Sequence, residues 1–206
     1  VIPAFKNEPY TRNAFGVISD ERLTYLSFDD AKQLVETPIL NDGKSRFLGD
    51  ATELILDYTA CSPYYIQIFC SRIVQYMNEK HYIQVTKNDV KSVAQEMVSG
   101  IHALDEGKFE NLLSARETDD EDNVEGAALD DAIRVYKDED VKNVLRAVAK
   151  ASSTKIDANI KELKVSIEET KLKGILKQLC DREVLENRDD NYRIKVRLYK
   201  EWLLNH

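Results

Sequence analysis

The sequence predicts a mainly α-helical fold, in which a small helical bundle is followed by a winged helix with a short β-hairpin wing. Apolar residues recur at helical spacing through most of the chain after residue 27. All four prolines lie within the first 63 residues, so proline interrupts no later helix. Near the C-terminus, two short β-type runs at 184–185 and 192–194 flank the polar turn 187–191, which is the pattern of a hairpin.

The composition is that of a globular protein. Of 206 residues, 43% are hydrophobic and 32% are charged, so one or two domains are expected. The apolar runs are far shorter than a membrane-spanning helix requires, and we expect no membrane partner. The chain begins Val-Ile-Pro-Ala-Phe-Lys, without Met and without a signal peptide, which indicates part of a longer protein. The three cysteines lack metal-ligand spacing and indicate reduced thiols in a cytoplasmic protein.

Charge is distributed unevenly along the chain. Residues 1–140 hold 14 Lys and Arg against 27 Asp and Glu, whereas residues 141–206 hold 15 against 10. A basic terminal segment points to an anionic partner. Solvated lysines on helix faces would give the same excess, so both interpretations stay open at this stage.

Residues 25–100 are predicted to form the helical bundle, after an N-terminal loop or edge segment at 1–24. Capping residues and helix-ending residues mark four helices within this range. The start signals are Ser27, Ser62 with Pro63, and Thr86, the stop signals are Pro38 and Gly100, the second helix is expected near 50–59, and a short strand is expected at 81–85.

Residues 101–137 are predicted to be an acidic linker with short helices. A cluster of carboxylates between residues 117 and 126 contains almost no apolar residue, which is typical of a solvated loop. Binding of a divalent cation is the alternative, but the spacing is not that of an EF-hand loop. We therefore expect no metal site.

Residues 138–206 carry the order of a winged helix. Apolar positions predict a first helix from Val141, a short second helix at 156–163, and a third helix opened by a capping box at Ser166. The hairpin and a closing helix follow. Three helices before a two-stranded wing is a variant of the helix-turn-helix.

No catalytic constellation is present in the sequence. The three histidines stand outside any metal-binding or nucleophile motif. Gly43-Lys44-Ser45 resembles the end of a phosphate-binding loop, but Pro38 occupies the position where the first glycine is required. These residues are therefore predicted to form a turn, and the chain by itself is predicted not to be an enzyme.

Several runs of residues, taken in order, resemble the C-terminal part of a prokaryotic AAA+/STAND-type ATPase. The runs 23–35, 58–70 and 85–90 are similar to that family's lid, and Leu176 to Leu203 are similar to its winged helix. The resemblance covers roughly residues 14–206. It implies an upstream P-loop ATPase core as partner, with ATP and Mg²⁺ as cofactors of the intact parent and none for this chain alone.

The resemblance also implies a nucleotide contact at the start of the third bundle helix. The family's G-x-P motif corresponds to Cys61, Ser62 and Pro63, with Cys61 where Gly is usual, and Tyr64 stands where related ATPases carry a sensor arginine. A helix N-terminus presents free N–H groups to an anion. A well-capped core helix is the alternative explanation of the same residues.

The winged helix offers cationic residues for duplex DNA. Such residue types contact phosphates and do not read base sequence, so weakly specific, salt-dependent binding is expected. Packing of the winged helix on an ATPase core is the competing role. The candidates for DNA contact are Lys171, Lys173, Lys177 and Gln178 on the third helix and Arg188, Arg193 and Lys195 on the wing.

Two functions of different classes follow from these observations. The first is a C-terminal regulatory segment of a nucleotide-dependent switch ATPase, without catalysis by this chain. The alternative is an independent winged-helix DNA-binding regulator of the transcriptional type.

Overall fold

The computed structural model describes residues 25–100, 102–113 and 136–206. Its regular elements are α1 (Phe28–Glu36), α2 (Ala51–Thr59), α3 (Pro63–Lys80), α4 (Lys87–Ser99), α5 (Glu110–Leu113), α6 (Asp138–Ala151), β1 (Ala158–Asn159), α7 (Glu169–Asp181), β2 (Leu185–Arg188), β3 (Asn191–Ile194) and α8 (Arg197–Asn205), with 3₁₀ turns at Thr37–Ile39, Glu106–Phe109 and Ile160–Glu162. The predicted fold class is confirmed, since helices dominate and the sheet is small and antiparallel.

Local capping explains where the first bundle helices begin. Ser27 caps α1 by accepting a hydrogen bond from the backbone N–H of Asp30, at 3.2 Å. Thr86 and Asp89 form a reciprocal capping box at the start of α4. Both interactions satisfy N–H groups that have no partner within the helix, which confirms the predicted start signals.

The apolar faces of α1 to α4 meet in one core. Ile55, Phe69, Ile73 and Met97 are all almost fully buried there. They come from α2, α3 and α4, and Phe69 and Ile73 lie four residues apart on one face of α3. Burial of these faces supplies the apolar area that holds the bundle together.

The segment around Gly43 is a tight turn, as predicted. Asn41 and Lys44 exchange backbone hydrogen bonds of 3.0 and 2.9 Å, and Asp42 and Gly43 both have positive φ. No helix follows this turn directly, whereas a phosphate-binding loop leads into the N-terminus of a helix.

The strand predicted at 81–85 is wrong. His81 ends α3 in the left-handed region, and of these five residues only Val85 takes part in a β-bridge, which pairs it with Phe47. The isolated bridge has no further pairing on either side because the chain turns at His81 and enters α4 soon after Val85.

The C-terminal sheet has the strand order β1-β3-β2, with antiparallel pairs throughout. The hairpin pairs Leu185 with Ile194 and Arg188 with Asn191. Asp189 and Asp190 form its two-residue turn with φ of 50° and 61°, which matches the twist of paired strands. This element was predicted by the sequence and is confirmed.

The second helix predicted at 156–163 is wrong. The chain forms β1 and a 3₁₀ turn there instead. Asn159 caps this turn by accepting from the Lys161 N–H, and the Ile160 N–H donates to the carbonyl of Asp190 in the wing. Ile156 is 68% exposed, so a helix at this position would have lost part of its apolar face.

The capping box predicted at Ser166 is also wrong, because α7 begins at Glu169 with Glu168 as its N-cap residue. Leu163, Val165 and Ile167 all pack against the core. Residues that alternate along the chain can face one side only when the backbone is extended. The packing of these alternate residues against the core is therefore incompatible with a helix in this stretch.

The described parts of the bundle and of the winged-helix segment (residues 138–206) belong to one compact unit of residues 24–113 and 136–206. The boundaries that separate 25–100, 101–137 and 138–206 as domains stay a prediction. The predicted loop at 1–24 and the acid cluster at 117–126 lie outside the described residues. Across the described ranges, each helix is too short or too polar to cross a bilayer.

Candidate functional site

The start of α3 is built as a helix N-terminus. Ser62 is the N-cap residue with extended backbone, and Pro63 is the first helical residue. The side chain of Ser62 is buried and makes no capping hydrogen bond to the helix. Leu26 donates a backbone hydrogen bond of 2.9 Å to the carbonyl of Cys61. This bond holds the residues that lead into α1 beside the start of α3.

The two residues before the N-cap have left-handed backbone. Ala60 has φ of 53° and Cys61 has φ of 60°. Glycine adopts this conformation without steric cost, whereas alanine and cysteine carry a Cβ that disfavours it. Burial raises the pKa of the Cys61 thiol, so this cysteine is held in its neutral form at physiological pH.

Of the four nucleotide-contact candidates, Tyr64 has the most exposed side chain. It is 42% exposed, whereas Ser62 is buried and Cys61 and Pro63 are half-buried. The Tyr64 ring meets Tyr65 edge-on with 5.0 Å between centroids. The four residues are consecutive in the chain at the start of α3, and the Tyr64 side chain is the part of them most exposed to solvent.

The DNA-contact candidates on α7 lie on two different sides of the helix. The amine of Lys171 binds the carboxylate of Asp140 on α6, with 2.6 Å between Nζ and Oδ2. Lys173 and Lys177 are exposed, and Lys173 binds Glu169 one turn earlier at 2.6 Å. Gln178 is half-buried.

The face of α7 at Gly174 is occupied by Tyr136. A Cβ placed at Gly174 would lie 1.9 Å from the tyrosine hydroxyl oxygen. The group that approaches this glycine closely is a side chain of the same protein. Lys171 and Gly174 therefore face the protein on this side of α7.

The DNA-contact candidates of the wing also differ in whether they are exposed or contact other residues of the protein. Arg188 is exposed at the end of β2, and Arg193 binds Glu186 across the hairpin. The amine of Lys195 lies 3.3 Å from a carboxylate oxygen of Glu183 and 3.8 Å from the ring centroid of Tyr25. Lys195 thus contacts the segment that precedes α1, which joins the wing to the helical bundle.

Paired carboxylates reduce the positive potential of this surface. At least four of the six cationic candidates hold a carboxylate within 4 Å. Such surface ion pairs are worth only about 0–1 kcal/mol each, so phosphate could displace them. An approaching duplex would nevertheless meet charges of both signs, which weakens long-range attraction.

An aromatic cluster joins the bundle to the winged-helix segment. We use this name for Tyr65, Phe109, Tyr199 and Trp202. The Phe109 ring lies 5.8 Å from Tyr65, 4.7 Å from Tyr199 and 5.2 Å from Trp202, between centroids. The indole N–H of Trp202 donates to the carbonyl of Leu104 at 2.7 Å. No sequence pattern predicted the position of Phe109 between the rings of Tyr65, Tyr199 and Trp202.

Arg197, at the start of α8, forms a second connection that sequence reasoning missed. Its guanidinium binds Asp57 of α2 at 2.7 Å and Glu201 at 2.8 Å. The same group lies 4.3 Å from the ring centroid of Tyr58. Hydrogen bonds to the two carboxylates raise the pKa of Arg197, against the opposing effect of burial. No sequence signal predicts this contact, because Asp57 and Arg197 are 140 residues apart.

Comparisons with family models, with curated proteins and with solved structures found no match to this chain. Among the described residues, no group of three or more His, Cys, Asp or Glu side chains is arranged to hold a metal ion.

Proposed function

We propose that this chain is the C-terminal regulatory part of a nucleotide-dependent switch ATPase, in which bundle and winged helix move as one body. The observation that supports this most directly is the aromatic cluster, which buries rings from both segments in a shared core. A switch element passes a movement from one site to another only when the parts between them are rigidly coupled.

The polar contacts between the segments support the same role. Arg197 ties α8 to α2, and the Tyr25 hydroxyl donates to the carbonyl of Glu183 at 2.9 Å. A displacement at the start of α3 would therefore be carried to the wing. In the proposed parent, residues 61–64 contact the nucleotide held by the upstream core, and ATP with Mg²⁺ is bound there.

An independent duplex-binding regulator has weaker support. Lys171 and Lys195 are directed at other parts of the protein, and a carboxylate accompanies each of four cationic candidates. The exposed Lys173, Lys177 and Arg188 offer fewer phosphate contacts than the sequence predicted.

The reading frame upstream of Val1 tests the main proposal. We expect a G-x-x-x-x-G-K-[ST] motif after a predicted strand, followed by a strand that ends in an acidic residue. A start codon immediately before Val1 would contradict the proposal, because the chain would then lack a nucleotide-binding core.

Titration with a fluorescent duplex tests the alternative. If the chain were a duplex-binding regulator, affinity would fall steeply with salt, and changing Lys171, Lys173 and Lys177 together to Glu would abolish binding. A matched control changes Lys80, Lys87 and Lys91 of the helical bundle to Glu, which alters net charge equally at another surface. We expect the two triple variants to show the same duplex binding at every salt concentration.

A further inference from the structure

Two consecutive residues before α1 connect the start of α3 with the winged-helix segment. The Leu26 N–H donates to the carbonyl of Cys61 at 2.9 Å, one residue before the N-cap of α3. The Tyr25 hydroxyl donates to the carbonyl of Glu183 at 2.9 Å, between α7 and β2. We call Tyr25 and Leu26 the strap. A single peptide unit thus separates a contact with the bundle from a contact with the wing.

The contact with the wing is made to the residue that terminates α7. Glu183 has φ of 58°, and its N–H donates to the Cys180 carbonyl at 2.8 Å. The Val184 N–H donates to the Leu179 carbonyl at 2.9 Å. These two bonds form a Schellman motif, with a left-handed residue directly after the C-cap position. The Tyr25 hydroxyl therefore binds the residue whose conformation closes the end of α7.

Both residues that the strap binds are non-glycine residues with left-handed backbone. The φ angle is 60° at Cys61 and 58° at Glu183. A Cβ disfavours this conformation, so it persists only where the surrounding contacts hold it. Loss of a strap hydrogen bond at either end would therefore favour a change of backbone conformation at the residue it binds.

We propose that the strap couples the start of α3 to the last turn of α7. A shift of the Cys61 carbonyl displaces Leu26. The adjoining Tyr25 then withdraws its hydroxyl from Glu183, and the last turn of α7 loosens. Lys177 is exposed one turn before the end of α7, so the cationic surface of the helix changes with it. The regulatory meaning rests on the proposed function, because nucleotide at the start of α3 would supply the shift.

The strap can release without separating the two segments. Its hydroxyl bond lies at the surface, where water can replace either partner. The Lys195 amine lies 3.8 Å from the Tyr25 ring centroid and 3.3 Å from the Glu183 carboxylate, which are also surface contacts. The aromatic cluster joins the segments through buried rings and does not include the strap. Local opening of this kind draws on the least stable contacts of a fold.

Hydrogen exchange of single backbone amides, measured by NMR on the full chain without nucleotide, tests the coupling. The reporter is the Val184 N–H, which closes the end of α7. The change is made at the opposite end of the strap, where Leu26→Pro removes the N–H that binds Cys61. We expect the Val184 amide to exchange about fivefold faster, the factor that corresponds to one surface hydrogen bond. The Met97 amide in α4 is the control for global stability and should change by less than about twofold.

Tyr25→Phe shows whether the strap carries the effect. This variant removes only the hydroxyl and keeps the ring beneath Lys195. In the Tyr25→Phe background, Leu26→Pro should leave Val184 exchange unchanged. The proposal would be overturned by an unchanged Val184 amide in Leu26→Pro alone, or by equal acceleration in both backgrounds.

An ester in place of the amide between Tyr25 and Leu26 keeps the test valid if Leu26→Pro fails to fold. It removes the same N–H without a proline ring, and it should accelerate Val184 exchange in the same way. Unchanged exchange in the ester variant would also overturn the proposal. None of these measurements uses nucleotide, so the strap succeeds or fails independently of the ATPase role, which the upstream reading frame tests.

Discussion

His81 ends α3 with a left-handed backbone, at φ 57° and ψ 34°, and its side chain is exposed. This conformation costs a non-glycine residue roughly 1–2 kcal/mol, and glycine is the usual residue at such helix ends. Because glycine also has more freedom in the unfolded chain, we expect His81→Gly to raise the free energy of unfolding by about 0.5–1 kcal/mol. Urea denaturation followed by circular dichroism measures the change.

Glu79→Gly is the matched control for this prediction. Glu79 lies in the last turn of the same helix with helical backbone, where glycine should lower the free energy of unfolding by about 1 kcal/mol. Effects of the same sign for both variants would contradict the role assigned to the left-handed residue.

Gly174 and Tyr136 are coupled through their close approach. Alanine at 174 would place a Cβ 2.9 Å from Tyr136 Cζ as well as against its hydroxyl, so the ring must move. In the background Tyr136→Ala this obstacle is absent, and Gly174→Ala should stabilise α7 by about 1 kcal/mol through helix propensity. With Tyr136 present, we expect that gain to vanish or reverse.

A double-mutant cycle measures this coupling as the difference between the two effects of Gly174→Ala. We expect a coupling energy of at least about 1 kcal/mol, as for residues in direct contact. If Gly174→Ala stabilised both backgrounds equally, Tyr136 would not occupy this face of α7.

At the scale of elements, the buried bond from Trp202 to the Leu104 carbonyl holds α8 to the segment that follows α4. Trp202→Phe removes this donor and reduces the volume of the aromatic cluster. We expect a loss of about 1–3 kcal/mol in the free energy of unfolding. Circular dichroism is the appropriate signal, because the chain has a single tryptophan.

Tyr25→Phe offers a comparison for the Trp202 variant. It removes the exposed hydrogen bond to the Glu183 carbonyl, which also joins the two segments. Water replaces a partner at an exposed site, so this loss should be clearly smaller than for Trp202→Phe. An equal or larger loss would mean that the coupling depends on the Tyr25 contact rather than on the aromatic cluster.

Elements whose signals are local were predicted correctly. Ser27, Pro63 and Thr86 each act within one helical turn, and the hairpin turn at 189–190 acts between neighbouring strands. The errors at 156–163 and at Ser166 arose where distant residues compete. Ile160 bonds to Asp190 in the wing, and the alternation of Leu163, Val165 and Ile167 follows the core. That alternation was a readable signal for extended backbone.

At the scale of the whole molecule, we expect one cooperative unfolding transition for the described unit. Trp202 fluorescence reports on the winged-helix segment, and alkylation of Cys70 on α3 reports on the bundle. Burial raises the pKa of Cys70 to about 12, so the folded state should react on the order of a thousandfold more slowly than an unfolded thiol at pH 8.

The experiment uses the variant Cys61→Ser/Cys180→Ser, in which Cys70 is the only thiol. Both probes should give the same free energy of unfolding and the same dependence on urea. Labelling of Cys70 at urea concentrations where Trp202 is still native would show that the bundle unfolds by itself, and would contradict rigid coupling of the segments.

Sequence by itself determined the fold class, most helix starts and the wing hairpin, because capping and apolar periodicity act over a few residues. The candidate residues 61–64 were likewise placed correctly at the start of a helix. Tertiary structure alone decided which charges are paired, how Phe109 connects Tyr65 to Trp202, and that the Arg46 Nε atom is buried with no hydrogen-bond partner among the described residues. Those features depend on contacts between residues far apart in the chain, which the folded backbone brings together and no local pattern encodes.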